Sequence, residues 1–346
     1  MLYHLIPSLF LRTGGAFILS LLLALFLLKR IGIKKFKKIG LVDYFRSYAP
    51  SSHYKKIGIP TAGGIFIIIS FSLSLLIFGN LTNSFVLISF ITTLLLGIIG
   101  FWDDRLKIKR KSSQGLKVKT KLSLQFILSF IIAIYLYYFT QFNSYLDIPF
   151  IGASLDIGWA YIPLIVAVIV GTTNSVNLTD GLDGLAGGCF IFSGAAYTFL
   201  VYLEGSNGIF NHYIHITHIT DIKELMVFWG AILGAVVGFL RYNIHPAQIF
   251  MGDTGAQVLG GTLGITAILI RKELLLCIIG GVFLIEAFSV ILQVFSFQLT
   301  GKRIIKMSPL HHHYELKGME EKKIVTYFWI LSLILSLIGL SSLFFK

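Results

Sequence analysis

The sequence has few charged residues: Asp, Glu, Lys and Arg make up 13% of its 346 residues, whereas 55% are hydrophobic. A water-soluble domain carries about 25% charged residues. This shortage excludes a soluble globular protein. The composition is typical of an all-α polytopic integral membrane protein, because only helices and closed barrels satisfy their backbone polar groups in lipid.

Cysteine is also scarce, and neither a cleavable leader nor an internal repeat is visible. Cys189 and Cys277 both fall in apolar stretches, so we expect small core residues and no disulfide framework. The first apolar stretch lacks a small-x-small cleavage site and is followed by Lys29 and Arg30. It is therefore predicted to be a retained helix with its N-terminus outside, in a single membrane-embedded domain covering residues 1–346.

The net charge of +13 does not indicate a nucleic-acid-binding protein. Its basic residues lie between apolar stretches, and the interleaving of aromatic and basic residues seen in RNA-binding proteins is absent. The charge is better explained by membrane topology and by anionic lipid or phosphate substrates.

Ten apolar stretches are long enough to cross about 30 Å of hydrocarbon. Their approximate cores are 13–28, 60–79, 84–101, 124–140, 161–178, 185–203, 225–240, 254–270, 275–297 and 324–343. Successive connections between these stretches then lie on opposite sides of the membrane. The connections on one side carry 24 of the 29 Lys and Arg residues. By the positive-inside rule that side is cytoplasmic and both termini are outside.

This same cytoplasmic side holds a triple-His segment and five aspartates within polar motifs, which predicts an active site there. The five are Asp103, Asp104, Asp180, Asp183 and Asp253. Asp103 and Asp104 end the third stretch. Adjacent carboxylates are unfavourable unless a cation is near, and such a pair suits general-base chemistry. The alternative is a solvated helix end with Arg105 and Lys107 as partners. The sequence leaves both interpretations open.

The segment 174–188 crosses a tight turn on the cytoplasmic side. Its Asn177, Asp180 and Asp183 are three residues apart, so a helical backbone would group them on one face. The calcium-loop and P-loop patterns are absent. Polar residues at a membrane border favour a functional role.

Asp253, in Met-Gly-Asp-Thr-Gly at 251–255, has two compatible interpretations. It is predicted either to supply an oxygen ligand to Mg²⁺ or to cap the start of the eighth helix.

The three consecutive histidines His311, His312 and His313 cannot all point at one ion from a regular element, which disfavours a zinc site. We expect phosphate or nucleotide contacts instead, which requires the segment 298–323 to fold back toward the aspartates.

Three further features have no assigned chemistry. Glu286, inside the ninth stretch, needs a partner or a proton and is a candidate marker of a helix break. On the outer side, residues 141–160 are compatible with a small hairpin. His212, His215 and His218 fit an amphipathic surface helix better than a metal site.

Several of these motifs closely resemble one known family. They are Pro-Thr-Ala-Gly-Gly at 60–64, the Asp103-Asp104 pair, Asn-Leu-Thr-Asp-Gly-Leu-Asp-Gly-Leu-Ala at 177–186, Met-Gly-Asp-Thr-Gly at 251–255 and Pro-Leu-His-His-His-Tyr-Glu-Leu-Lys-Gly at 309–318. The family is the bacterial phospho-N-acetylmuramoyl-pentapeptide transferases (the MraY translocases), within the polyprenyl-phosphate N-acetylhexosamine-1-phosphate transferases. The resemblance spans essentially the whole chain, and the triple-His segment selects the muramoyl-pentapeptide branch.

The resemblance implies a multi-pass enzyme of the bacterial cytoplasmic (inner) membrane. With Mg²⁺, such an enzyme transfers phospho-MurNAc-pentapeptide from UDP-MurNAc-pentapeptide to undecaprenyl phosphate, giving lipid I and UMP in peptidoglycan synthesis. It also implies contact with membrane lipids and a homodimer. By similarity Asp253 holds Mg²⁺, and the catalytic residues are Asp103, Asp104, Asp253 and His311. The implied substrate-binding residues are Lys56, Thr61, Asn177, Asp180, Asp183, Asn243 and His312.

Two alternatives remain open. A sister enzyme using UDP-GlcNAc shares the aspartate motifs. A transporter whose aspartates form an ion path is a different class of function. Against the transporter, the carboxylates cluster at one face and only Glu286 lies near mid-membrane, whereas transport sites tend to lie at the midplane.

Overall fold

The computed structural model describes residues 5–41, 56, 58–140, 144–206, 219 and 221–345. The outer histidines His212, His215 and His218 lie outside the described residues. The described chain is mostly helical, as predicted. The helices are α1 Leu9–Leu27, α2 Ile33–Ile39, α3 Gly64–Phe78, α4 Ser84–Arg110, α5 Val118–Phe139, α6 Tyr161–Thr179, α7 Leu185–Glu204, α8 Leu225–Asn243, α9 Gly252–Leu269, α10 Glu273–Ile279, α11 Gly281–Thr300, α12 Leu310–Glu315 and α13 Glu321–Ser341.

Eight helical segments in the described part of the chain are long and apolar enough to cross a membrane. The helices α3 and α9 occupy the positions of the other two expected spans. They have 15 and 18 residues, which is short against the roughly 20 residues that a bilayer requires. The protein is therefore a helical multi-pass membrane protein, and the count of ten spans stays a prediction.

Two helix boundaries differ from those expected. The first helix continues through a π-helical segment, Leu28–Gly32, into α2. The basic residues that follow the first apolar stretch are therefore helical. The ninth stretch is divided at Gly280 into α10 and α11, where consecutive glycines weaken the helix. Glu286 lies within α11, so the expectation that it marks the break was wrong.

The hairpin predicted for residues 141–160 is present, and ion pairs connect it to the helices. Strand β1, Tyr145–Ile148, pairs antiparallel with β2, Ala153–Asp156. Nζ of the buried Lys272 lies 2.8 Å from a carboxylate oxygen of Asp147 and 3.0 Å from one of Glu204. A buried ammonium requires such partners. These ion pairs connect the hairpin to the last residue of α7 and to the start of α10.

The helix α9 lies at the centre of the bundle, and every residue from Asp253 to Leu269 is buried. Its start is approached closely by two neighbouring helices. A Cβ on Gly100 of α4 would lie 2.3 Å from the carbonyl oxygen of Asp253, and a Cβ on Gly64 of α3 would lie 2.1 Å from the nitrogen of Gly255. Small residues permit such approach. The turn of α4 after Gly100 is therefore placed against the start of α9.

The two cysteines differ in environment. Cys189 is buried, as expected for a small core residue, but Cys277 is exposed. The core prediction for Cys277 was wrong because α10 turns this residue away from the bundle. An apolar sequence stretch does not distinguish a lipid-facing position from a core position, since both favour apolar residues.

Candidate active site

Three carboxylates from two helices converge where α4 meets α9. Asp103 and Asp104 extend from the last turns of α4, and Asp253 lies in the first turn of α9. Each offers an oxygen, and these atoms lie within 4.8 Å of one another. All three residues are buried. Such crowding is unfavourable unless cations or hydrogen-bond donors compensate.

Asp104 is held by the N-terminus of α9. Its carboxylate accepts hydrogen bonds from the backbone N–H groups of Asp253 (3.0 Å) and Thr254 (2.9 Å) and from the Thr254 hydroxyl (2.6 Å). The first N–H groups of a helix lack partners within the helix and form its positive end. Asp104 therefore caps α9 from a different helix.

This arrangement corrects one interpretation of Asp253. The N-cap residue of α9 is Met251, and no side chain makes an N-cap hydrogen bond from that position. Asp253 is not the cap. Because Asp104 satisfies the helix end, the carboxylate of Asp253 is left for other partners.

Lys107 bridges the other two carboxylates. Its Nζ lies 2.9 Å from Oδ2 of Asp103 and 2.5 Å from Oδ2 of Asp253. Lys121 Nζ lies 3.3 Å from the same oxygen of Asp253, and Oδ1 of Asp103 accepts the N–H of Leu116 at 2.9 Å. Lys107 is thus a partner of the pair, as one interpretation of the sequence had it. The two aspartates are nevertheless buried, although the end of the helix at Lys109 and Arg110 is exposed.

The donor set fits a magnesium ion. Mg²⁺ prefers hard oxygen ligands, and carboxylates are its usual protein ligands. The ammonium of Lys107 between Asp103 and Asp253 marks a position where positive charge is favourable. Three donors already engage the oxygens of Asp104. Asp253, whose Oδ2 is approached by the ammonium groups of both Lys107 and Lys121, is therefore the residue best placed to hold the ion.

A second cluster lies around Lys56. Its Nζ is 2.6 Å from Oδ1 of Asp183 and 2.6 Å from Oε1 of Glu321. The other oxygen of Asp183 accepts the N–H of Ala247 at 2.9 Å and lies 3.1 Å from Nδ1 of His245. Asp183, His245 and Glu321 could by spacing hold a cation, but the ammonium of Lys56 fills that role. We interpret this cluster as an ion-pair network.

Asn177, Asp180 and Asp183 do not share a helical face. The helix α6 ends at Thr179, and Asp180 and Asp183 lie in the turn before α7. Gly184 has a φ of 78°, a conformation that a right-handed helix does not contain. The amide of Asn177 donates to Asp253. The turn therefore sends Asn177 to the first cluster and Asp183 to the second.

Asn243 supports the site from its edge, whereas Thr61 contacts the chain after α2. The side chain of Asn243 accepts the N–H of Gly184 at 3.1 Å and donates to the carbonyl of Ile249 at 2.9 Å. Thr61 is buried, and its N–H donates to the carbonyl of Leu41 at 2.9 Å. Asn243 thus connects the turn before α7 to the segment that leads into α9.

The triple-His segment forms α12. The rings of His311 and His312 lie 4.2 Å apart, whereas the ring of His313 packs against Tyr314. His311 is fully buried beside Glu286. His312 Nδ1 lies 2.7 Å from Oε2 of Glu315. Among the described residues no group of three His, Cys, Asp or Glu side chains that could hold a metal contains these histidines.

The third histidine has a structural contact. Nδ1 of His313 accepts the backbone N–H of Lys306 at 3.1 Å, which a neutral imidazole can do. Partial burial, together with the charges of Lys317 and Lys306, lowers the pKa of His313 below its ordinary value of 6.5. His313 therefore connects α12 to the preceding loop.

Several residues of the two clusters were not predicted as site residues. They are Lys121, Thr254, His245 and Glu321. Lys107 had a detectable signal, because a residue four positions after Asp103 lies on the same helix face. Glu321 and His245 had none, since each is far along the chain from Lys56 and only the fold brings them together.

Comparisons with known proteins show the family of this chain. Residues 86–271 match the profile of glycosyl transferase family 4. A protein of Desulfotalea psychrophila named phospho-N-acetylmuramoyl-pentapeptide-transferase is 44% identical over 335 residues, covering 96% of this chain and 93% of its own. The namesake of Rickettsia africae is 48% identical over 301 residues, covering 86% and 83%. That of Koribacter versatilis is 42% identical, covering 96% and 92%. This chain therefore belongs to the phospho-N-acetylmuramoyl-pentapeptide-transferase family of enzymes.

Proposed function

We propose that the protein transfers phospho-MurNAc-pentapeptide from UDP-MurNAc-pentapeptide to undecaprenyl phosphate, giving lipid I and UMP, with Mg²⁺ as cofactor. The observation that carries this proposal is the cluster of Asp103, Asp104 and Asp253, held together by two helix ends and two lysines. The names of the relatives, which align with most of this chain, support the muramoyl substrate over UDP-GlcNAc. They also leave no support for the transporter alternative.

The reaction requires a phosphate oxygen of the lipid to attack the sugar-linked phosphorus of the UDP-sugar. A new P–O bond forms there, and the bond to the bridging oxygen breaks, so that UMP leaves with that oxygen. A bound Mg²⁺ would neutralise pyrophosphate charge and polarise the phosphorus centre. The protein's own task is to align the two phosphates and to keep the proton off the attacking oxygen.

Asp103 is the carboxylate that we assign to proton removal. Asp104 has both oxygens engaged by the N-terminus of α9, so its role is to place Asp253. Oδ1 of Asp103 accepts the N–H of Leu116, whereas its Oδ2 lies 2.9 Å from Nζ of Lys107. When an anionic substrate draws Lys107 away, that oxygen becomes available as a base.

The two lysines of the first cluster are proposed to receive the pyrophosphate. Lys107 and Lys121 already lie at the carboxylates, and each ammonium can contact phosphate oxygens as a point charge. Lys56, in the second cluster, is proposed to bind the same substrate with Asp180, Asp183 and His312 around the turn before α7. The positive field of the cytoplasmic loops would concentrate both anionic substrates.

We further propose ten spans with both termini outside, a cytoplasmic site, a location in the bacterial cytoplasmic membrane and a homodimeric state. The distribution of Lys and Arg supports this sidedness. A cysteine placed at Lys302 of an otherwise cysteine-free variant tests it. A membrane-impermeant maleimide should label this cysteine in inverted vesicles but not in intact spheroplasts. Labelling from outside would reverse the topology.

The decisive assay supplies purified protein with Mg²⁺, undecaprenyl phosphate and one UDP-sugar at a time. We expect UMP release with UDP-MurNAc-pentapeptide and none with UDP-GlcNAc. Turnover of UDP-GlcNAc alone would assign the sister activity. Ion flux in liposomes without UMP release would restore the transporter.

A further inference from the structure

The carboxylate of Glu286 is the buried acidic group of α11 that the sequence left without a role. Glu286 is 0% exposed and lies in an apolar helix beside the buried Val282 and Phe283. A carboxylate in such surroundings costs several kcal/mol unless it has a partner. We therefore expect this carboxylate to have a specific partner.

That partner is His311, which Glu286 contacts at two points. Oε1 of Glu286 accepts the backbone N–H of His311 at 3.2 Å. Oε2 of Glu286 lies 3.2 Å from Nδ1 of His311, and both side chains are 0% exposed. Neither Oε2 nor Nδ1 has a hydrogen-bond partner among the described residues. A small rotation of the imidazole would join them, and such contacts often tighten only when substrate binds.

The opposite edge of the imidazole points at the turn between α6 and α7. A Cβ on Gly181 would lie 2.2 Å from Nε2 of His311, so only a glycine leaves room for the ring there. Nε2 also lacks a hydrogen-bond partner in the described part of the chain. The neighbouring residue in the turn is Asp180. His311 is thus enclosed between an acidic group on one side and the proposed substrate turn on the other.

We propose that Glu286 is the positioning residue of His311. Its carboxylate holds the proton on Nδ1 and orients the ring, so that Nε2 faces the turn at Gly181, where substrate binds. The hydrogen bond made by one ring nitrogen sets the state of the other. This inference rests on the proposed function, because it assigns a role within that site.

The test compares Glu286→Gln with the wild type in the UMP-release assay. Glutamine retains an oxygen for the N–H of His311 but presents an amide N–H₂ to Nδ1, which favours the opposite tautomer. We expect kcat to fall roughly 10- to 100-fold, with KM for the UDP-sugar within about threefold and the melting temperature close to that of the wild type. Glu320→Gln, at an exposed glutamate that pairs with Lys323, is the control for loss of one negative charge.

A double-mutant cycle distinguishes positioning from a general structural effect. If Glu286 acts through His311, then Glu286→Gln should lower kcat no further in a His311→Ala background. Additive losses, or an unchanged kcat for Glu286→Gln, would overturn the inference. An inactive wild type would instead refute the proposed function.

A second variant keeps the inference testable if Glu286→Gln does not fold. Gly181→Ala has no backbone conflict, since Gly181 is not among the residues with positive φ, but its Cβ must displace the ring of His311. We expect a loss of kcat that disappears in the His311→Ala background. Turnover of Gly181→Ala equal to the wild type would overturn the inference.

Discussion

The cap that Asp104 places on α9 can be tested through stability and turnover together. Asp104 accepts three hydrogen bonds from the start of α9, two from backbone N–H groups and one from the Thr254 hydroxyl. Asn in place of Asp104 keeps one acceptor oxygen and turns an N–H₂ group toward these donors. A hydrogen bond to a charged group contributes about 1.5–3 kcal/mol, and a buried donor left without a partner costs a similar amount.

Relief of repulsion acts in the opposite direction. Asp104→Asn removes one of three crowded carboxylates, so part of the loss is offset. We therefore expect a net destabilisation of about 2 kcal/mol, seen as a fall in melting temperature of roughly 3–5 °C. Turnover should fall as well, because the start of α9 positions Asp253.

The assay is thermal unfolding of the detergent-solubilised protein alongside UMP release, with Asp103→Asn as the matched control. Asp103 makes one backbone contact, to Leu116, and pairs with Lys107, which retains Asp253 as a partner. Asp103→Asn should therefore lose turnover with a smaller change in melting temperature. An Asp104→Asn variant with the melting temperature and turnover of the wild type would refute the assignment of Asp104 as the cap of α9. A larger loss of stability in Asp103→Asn would also refute it.

Three further substitutions probe the clusters. Asp253→Asn should remove most activity at every Mg²⁺ concentration, and wild-type turnover across a Mg²⁺ titration would disprove the metal-ligand assignment. Lys107→Met should lower kcat/KM on the order of a hundredfold, measured as UMP release, because a cation at the pyrophosphate is lost; unchanged kinetics would remove this lysine from the site. Glu321→Gln should raise the KM for the UDP-sugar several-fold by releasing Lys56, whereas Glu320→Gln should not. Equal KM values for the two variants would show that Glu321 does not position Lys56.

The fold class and the family were readable from the sequence because both depend on local signals. Low charge and long apolar stretches predict membrane helices wherever they occur in space. The motifs at 177–186, 251–255 and 309–318 carry the family without any knowledge of contacts. That the three histidines do not form one metal site also follows from local geometry, since three consecutive residues of a regular element cannot all point at one ion.

The partners of the site residues were decided by tertiary structure. Lys56 and Asp183 are 127 positions apart, and Asp104 and Thr254 are 150 apart. No local pattern specifies such pairs, because they depend on how closely glycines let the helices approach. From the sequence, Asp253 was a candidate for the cap of α9 because it lies at the start of that helix. The packing of α4 against α9 gives the cap to Asp104 instead. Glu286 was visible as a buried charge, but only the return of α12 to α11 supplies its histidine.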